Sequence, residues 1–243
     1  MDYDEITPLY VLQYQRYADD LGFYTRLAQD YGGPVLELGA GTGRVSRAIA
    51  QRGLEVVALE PSAEMRKFGR QHTKGLKVQW LEGDMRLLEL GRKFPLIIVP
   101  FNALMHLYSL EEQDATLAGV VRHLAEGGRL AFDLYNPAHI GPEGVMKFEG
   151  AYEEGYTVFL YQEHHPSAQM LITNYQVDQL TRGGAVRRTT PTLTQRYYTR
   201  YEVERWLRSF GLEYRLFGGF QKEPFTADSA VMAFEAWAGD ASP

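Results

Sequence analysis

The stretch Val35-Leu36-Glu37-Leu38-Gly39-Ala40-Gly41-Thr42-Gly43-Arg44 constrains this chain more than any other. Val35 to Leu38 is short and mostly apolar, as a strand buried between two helical layers must be. Glycines at 39, 41 and 43 then turn the chain tightly with no Cβ in the way of a ligand. Val45-Ser46-Arg47-Ala48-Ile49-Ala50 reads as a helix, whose first N–H groups point back over the glycines. Strand, turn and helix together predict a site for a nucleotide-like cofactor.

The spacing separates two kinds of nucleotide site. A dinucleotide fingerprint sets glycines at the first, third and sixth positions of the loop. Counted from Gly39, the sixth position is Arg44, and the third glycine comes one residue early. A bulky Arg44 opposes the close packing of a dinucleotide turn, and the Glu37 carboxylate would repel a pyrophosphate. Both features count against a nicotinamide-dependent oxidoreductase.

With 243 residues, the chain suits one domain with an insertion, or one large and one small domain. A net charge of −6 and no run of Lys and Arg give no general attraction to nucleic acid or to an anionic membrane. No cysteine is present, which excludes disulfides, zinc–thiolate sites and cysteine nucleophiles and fits a cytoplasmic protein. Met1-Asp2-Tyr3-Asp4-Glu5 lacks the apolar core of a signal peptide, and no apolar run approaches a membrane span.

Residues 8–31 read as one helix. Tyr10, Tyr14 and Tyr17 share a face by their i, i+4, i+7 spacing. That face either packs on the domain or forms a lid over the cofactor. Gly32-Gly33-Pro34 ends the helix. After the glycine loop, a helix over 44–52 leads to a second strand at 55–59 with Glu60 at its end. A carboxylate about 20 residues past the first glycine can accept both ribose hydroxyls. The third strand, 77–81, closes with Asp84 and Met85. Asp84 is placed to accept from an adenine amine, and Met85 to lie against the ring. The apolar run 94–101 is a central parallel strand, followed by Asn102, a helix over 110–125, Gly127-Gly128, and a fifth strand at 129–134.

Read in order, E-L-G-A-G-T-G-R, L-E-P-S, E-G-D-M, F-P-L-I-I-V-P-F-N and L-A-E-G-G-R-L-A-F-D-L resemble the successive motifs of class I S-adenosylmethionine-dependent methyltransferases, over roughly residues 34–135. G-D-M-R-x-x-x-L-G-R-K-F at 83–94, with Tyr10 and Tyr14, resembles the small-molecule members that dimethylate aminosugars; Val11 departs from them where an acidic residue commonly follows the first tyrosine. The resemblance implies an α/β fold: a Rossmann-like sheet with helices on both faces and an inserted antiparallel β subdomain. It divides the chain into a helical lid (1–33), an S-adenosylmethionine-binding core (34–146 and 200–240) and an insert (147–199) for acceptor binding or dimerisation. It implies a cofactor-binding set of Tyr14, Glu37, Gly39, Ala40, Gly41, Gly43, Arg44, Glu60, Pro61, Asp84, Met85, Phe101 and Asn102.

The insert itself is marked by a change of period. Strand-like stretches run over 152–163, 170–180 and 185–198. Leu171, Thr173, Tyr175 and Val177 alternate, and Arg182-Gly183-Gly184 makes a hairpin turn. A last helix over 202–210 and strands at 212–220 and 230–238 close the chain.

The implied reaction is in-line displacement, in which an acceptor lone pair attacks the methyl carbon of a sulfonium, with positioning supplying most of the acceleration. The acceptor is a small molecule, with no metal, nucleic acid or membrane called for. A base is needed only for a hydroxyl acceptor. His106, just past the fourth strand, is the candidate base, with Tyr14 as a second catalytic candidate; His139, His164 and His165 are weaker ones. A non-catalytic S-adenosylmethionine-binding protein is the alternative from another class.

Overall fold

The computed structural model describes residues 3–14 and 16–239. Seven strands form the main sheet: β1 (Val35–Leu38), β2 (Val56–Glu60), β3 (Val78–Glu82), β4 (Phe94–Val99), β5 (Leu124–Tyr135), β11 (Leu212–Phe217) and β12 (Val231–Ala238). Their order is β11-β12-β5-β4-β1-β2-β3. The strands from β3 to β5 are parallel, and β12 runs antiparallel to both of its neighbours. Parallel neighbours need crossovers, and the helices that supply them cover both faces.

Both sides of each central strand are therefore apolar. Val35, Val56, Leu96 and Ile98 face Phe23, Leu27, Val45 and Ile49, from helices α2 (Leu21–Tyr31) and α3 (Arg44–Ala50). Leu36, Val57, Ile97 and Val99 face the other way, toward Leu117 and Val120 of α5 (Leu110–His123) and Val203 and Leu207 of α6 (Arg200–Ser209). This is why β4 is an unbroken apolar run rather than an alternating one. No helix among the described residues is long and apolar enough to cross a membrane.

The N-terminal helix differs from the sequence reading. There are two helices, α1 (Tyr3–Tyr14) and α2, and Pro8 lies inside α1 rather than at a helix start. What breaks them apart is Asp20, fully buried, which accepts from both terminal nitrogens of Arg44, one of them at 2.7 Å. Arg44 also donates to the Tyr17 carbonyl at 3.3 Å. An ion pair spanning 24 residues leaves no trace in local periodicity. Gly127 and Gly128 also differ from expectation: they lie inside β5, where its register against β4 shifts, rather than between helix and strand.

The second sheet has five strands: β6 (Lys147–Tyr152), β7 (Tyr156–His165), β8 (Met170–Leu180), β9 (Val186–Thr189) and β10 (Thr192–Arg196). They pair antiparallel in the order β10-β8-β7-β6, with β9 on β8. The third stretch expected from sequence is two strands, interrupted around Pro191, whose ring removes a ladder donor. Helix α1 lies between this sheet and the core. Its Ile6 and Leu9 are buried with Val158, Tyr175 and Val177 of the insert and with Met65 of α4 (Ala63–His72).

Candidate active site

The order of the main sheet reverses between β1 and β4, and in such sheets the crevice beyond the carboxyl ends at that point is where ligands bind. A cavity of about 640 Å³ opens there and continues beneath the insert. Of the residues proposed from sequence, Tyr14, Gly39, Gly41, Glu60, Pro61, Asp84, Met85, Phe101, Asn102 and His106 line it. Glu37, Ala40, Gly43 and Arg44 do not.

The glycine turn works through backbone geometry. Gly41 has φ of 54°, and a Cβ there would lie 3.7 Å from the Tyr10 hydroxyl, inside the cavity. Gly43 has φ of 78°, and its Cβ would fall 2.7 Å from the Trp80 ring. Trp80 cannot easily yield, because its indole N–H donates to Thr73 Oγ1 at 2.9 Å. The early third glycine is thus spent on packing α3 closely against Trp80, and Arg44 is spent on Asp20.

Glu60, 4% exposed, is held by two backbone donors: Gly41 N–H on Oε2 at 2.8 Å and Ser62 N–H on Oε1 at 2.9 Å. Each oxygen keeps a lone pair toward the cavity. Burial raises its pKa, while the Ser62 and Gly41 donors oppose the shift. Arg66 braces the strand ends, donating to the carbonyls of Glu60 and Pro61 and to the Glu82 carboxylate, each at 2.7 Å. Asp84 accepts from Arg86 Nε at 2.9 Å. Burial would raise its pKa, but the Arg86 guanidinium and N–H hold it below the ordinary carboxylate range.

Glu37 lies behind this surface, 2% exposed, accepting from the Ser46 hydroxyl. Burial pushes its pKa up to about 8, against the Ser46 donor and Arg44. It supports the root of α3 instead of facing the cavity.

The turn after β4 is strained. Phe101 and Asn102, neither a glycine, have φ of 57° and 60°. Asp133, on β5, holds them from below, accepting the Phe101 N–H at 2.8 Å and the hydroxyl of Tyr24, on α2, at 2.5 Å. Burial pushes Asp133 up to about 6, against these two donors. Asn102 in turn accepts the Tyr135 N–H at 2.5 Å. The Phe101 ring meets Tyr10, Tyr14 and Tyr17 at centroid distances of 6.0, 4.8 and 5.2 Å. Arg44 lies 5.3 Å from its centroid. Tyr10 and Tyr14 converge as their helical spacing suggested, whereas Tyr17 reaches the same ring from beyond the end of α1.

Of the histidines offered by the sequence, His106 lines the cavity. Its Nδ1 is buried without a hydrogen-bond partner among the described residues, and its ring meets Tyr3 edge-on at 5.2 Å. Burial lowers its pKa to about 4, the Thr194 backbone working the other way. His164 contacts the Tyr197 hydroxyl at 2.9 Å, and His165 lies 4.0 Å from Glu163.

The insert supplies the far wall. Leu160 and Gln162 come from β7, Leu171, Thr173 and Tyr175 from β8, and Leu193 and Gln195 from β10. The Tyr14 and Tyr175 hydroxyls lie close enough to influence each other, so α1 packs against this wall. Tyr161 pairs with Asn174 and lies on the face opposite Tyr175. Sequence reasoning did not single out Asp20, Tyr24, Gln162 or Gln195, nor the role of Asp133. For Gln162 and Gln195, the alternation was the one signal available.

Residues 35–128 match the family model described as a methyltransferase domain. Over 204 residues the chain is 29% identical to the cypemycin N-terminal methyltransferase of a Streptomyces species, covering 83% of this chain and 81% of that protein. It is 28% identical over 225 residues to dTDP-3-amino-3,6-dideoxy-alpha-D-glucopyranose N,N-dimethyltransferase of Streptomyces fradiae, covering 88% and 86%. Among solved structures, the CcbJ methyltransferase of Streptomyces caelestis superposes with a TM-score of 0.84 at 25% identity, over 97% of each chain.

Proposed function

We propose that the chain is an S-adenosylmethionine-dependent methyltransferase of the class I fold and that it transfers the methyl group to the amine nitrogen of a small molecule. When bound, S-adenosylmethionine supplies a methyl carbon already activated by a positive sulfur. The residues present fit it. Gly41 leaves a cradle that a Cβ would fill. Glu60, preset by two backbone donors, would take the ribose hydroxyls, and Asp84 and Met85 the adenine. Tyr10, Tyr14 and Phe101 would put aromatic faces beside the positive charge.

The observation that carries the amine reading is the buried, unpartnered Nδ1 of His106. With a pKa near 4 the ring is neutral at physiological pH and a weak base. Its Nδ1 is closed off from the cavity as well, so the ring is poorly suited to strip a hydroxyl. A neutral amine needs no such help: nitrogen forms the bond to methyl carbon as the carbon–sulfur bond breaks, and the surplus proton leaves afterwards to water. The names of the two relatives, one an N-terminal and one an N,N-dimethyltransferase, support the same reading.

The test is His106→Asn, assayed with labelled S-adenosylmethionine against an amine panel and the matching alcohols. On the amine reading, kcat falls by no more than about tenfold. A loss of roughly 10²–10⁴, the scale of a removed general base, together with turnover of the alcohols alone, would overturn it.

A further inference from the structure

The insert wall can be read row by row, because antiparallel partners share a face. Leu160 pairs with Tyr175; Gln162 pairs with Thr173, which pairs in turn with Leu193; Leu171 pairs with Gln195. These seven side chains, the ones the insert gives to the cavity lining, are all neutral; Lys147, opposite Leu160, and Arg187, opposite Gln179, share the face but not the lining. Thr173, 3% exposed, receives Gln162 Nε2 at 3.2 Å, whereas the Gln195 amide makes no hydrogen bond among the described residues.

The charged groups lining the cavity lie at its other end: Asp4, Glu60, Asp84 and Arg86. Arg86 is divided between Asp84 and Glu112, at 2.9 and 2.5 Å. The start of α4, where N–H groups could receive an anion, already carries one. Asp4 accepts from the Ser62 hydroxyl at 2.5 Å and from Glu64 N–H at 3.3 Å. Among the described lining residues, then, three carboxylates face a single guanidinium that is already paired, and His106 adds no charge.

On the methyltransferase reading above, we infer that the acceptor is a phosphate-free amine whose uncharged body, part hydrocarbon and part hydroxyl or amide, lies on the face of β7, β8 and β10. Leu160, Leu171 and Leu193 take its apolar part; Gln162, Thr173 and Gln195 take its polar groups. An amine carried on a nucleoside diphosphate is rejected, since recognition of phosphate calls for forked guanidinium or ammonium donors that this wall does not offer. In this the chain departs from its relative of Streptomyces fradiae, whose name gives a dTDP-sugar as substrate.

The experiment begins with calorimetric titration of S-adenosylhomocysteine. No binding there defeats the reading on which the inference rests. Thymidine diphosphate is then titrated into protein saturated with S-adenosylhomocysteine. No heat is expected up to about 1 mM, and a Kd below about 100 μM would overturn the inference alone. Methyl transfer is measured beside it on one amino sugar in two forms, 3-amino-3,6-dideoxyglucose as its dTDP ester and as its methyl glycoside. A kcat/KM at least about tenfold higher for the glycoside is expected, and preference for the nucleotide form would overturn it. If neither sugar turns over, the thymidine diphosphate titration decides. Gln195→Lys, which sets a cation on the neutral wall, is expected to raise thymidine diphosphate affinity about tenfold. No gain would mean that charge is not what keeps the nucleotide out.

Discussion

The two walls of the cavity recognise by different means. The core wall is built of backbone: glycines in the left-handed region, N–H groups turned onto Glu60, and a strained turn at Phe101 and Asn102 fixed from below. The insert wall is a pleated face on which neutral side chains alternate. A backbone site admits few sequences, because each position is tied to a φ angle or a close approach. A side-chain face admits many, because one residue can be exchanged without moving its neighbours. The first suits a cosubstrate that is the same for every such enzyme, and the second an acceptor that differs.

The contrast fails most sharply if the glycine turn behind the core wall tolerates even a methyl group. Gly43→Ala adds a Cβ 2.7 Å from Trp80 at a φ of 78°. It should cost about 2–5 kcal/mol of stability, combining overpacking with a left-handed alanine. Denaturant melts would show it, and an unchanged midpoint would mean that the loop is looser than described. Next in size, Glu60→Ala should weaken S-adenosylhomocysteine binding by about 1.5–3 kcal/mol, the range for hydrogen bonds to a charged group. Normal affinity in a folded variant would remove Glu60 from the core wall's function. The smallest effect probes the seam between the walls. Tyr14→Phe and Tyr175→Phe each remove one of two neighbouring hydroxyls, so each should cost about 1 kcal/mol, and the double variant less than their sum. Additive losses would mean that the walls are independent across this seam.

Much of the core wall was legible in the sequence. Gly39 and Gly41, Glu60 at the end of β2, Asp84 after β3 and the apolar run of β4 follow from rules that act within a few residues. They stand in the cavity where those rules put them. Arg44 and Gly43 share the same loop, yet Arg44 answers to Asp20, 24 residues away, and Gly43 to Trp80. Proximity in the chain does not reveal a partner made by folding. The insert's alternation was visible at Leu171, Thr173 and Tyr175, but period alone does not say which face of a strand turns toward a cavity. The break between α1 and α2 escaped because a buried ion pair, not a glycine or proline, makes it.

Asp133 gives the site a foundation outside itself. Neither it nor Tyr24 lines the cavity, and Tyr24 is fully buried in α2, on the far side of the strands that carry the turn. Yet the single carboxylate that holds Phe101 is steadied by that phenol. A map of where substitutions abolish methyl transfer would therefore reach into α2 and outline a shape larger than any ligand. Its margin would be drawn by whatever the floor rests on.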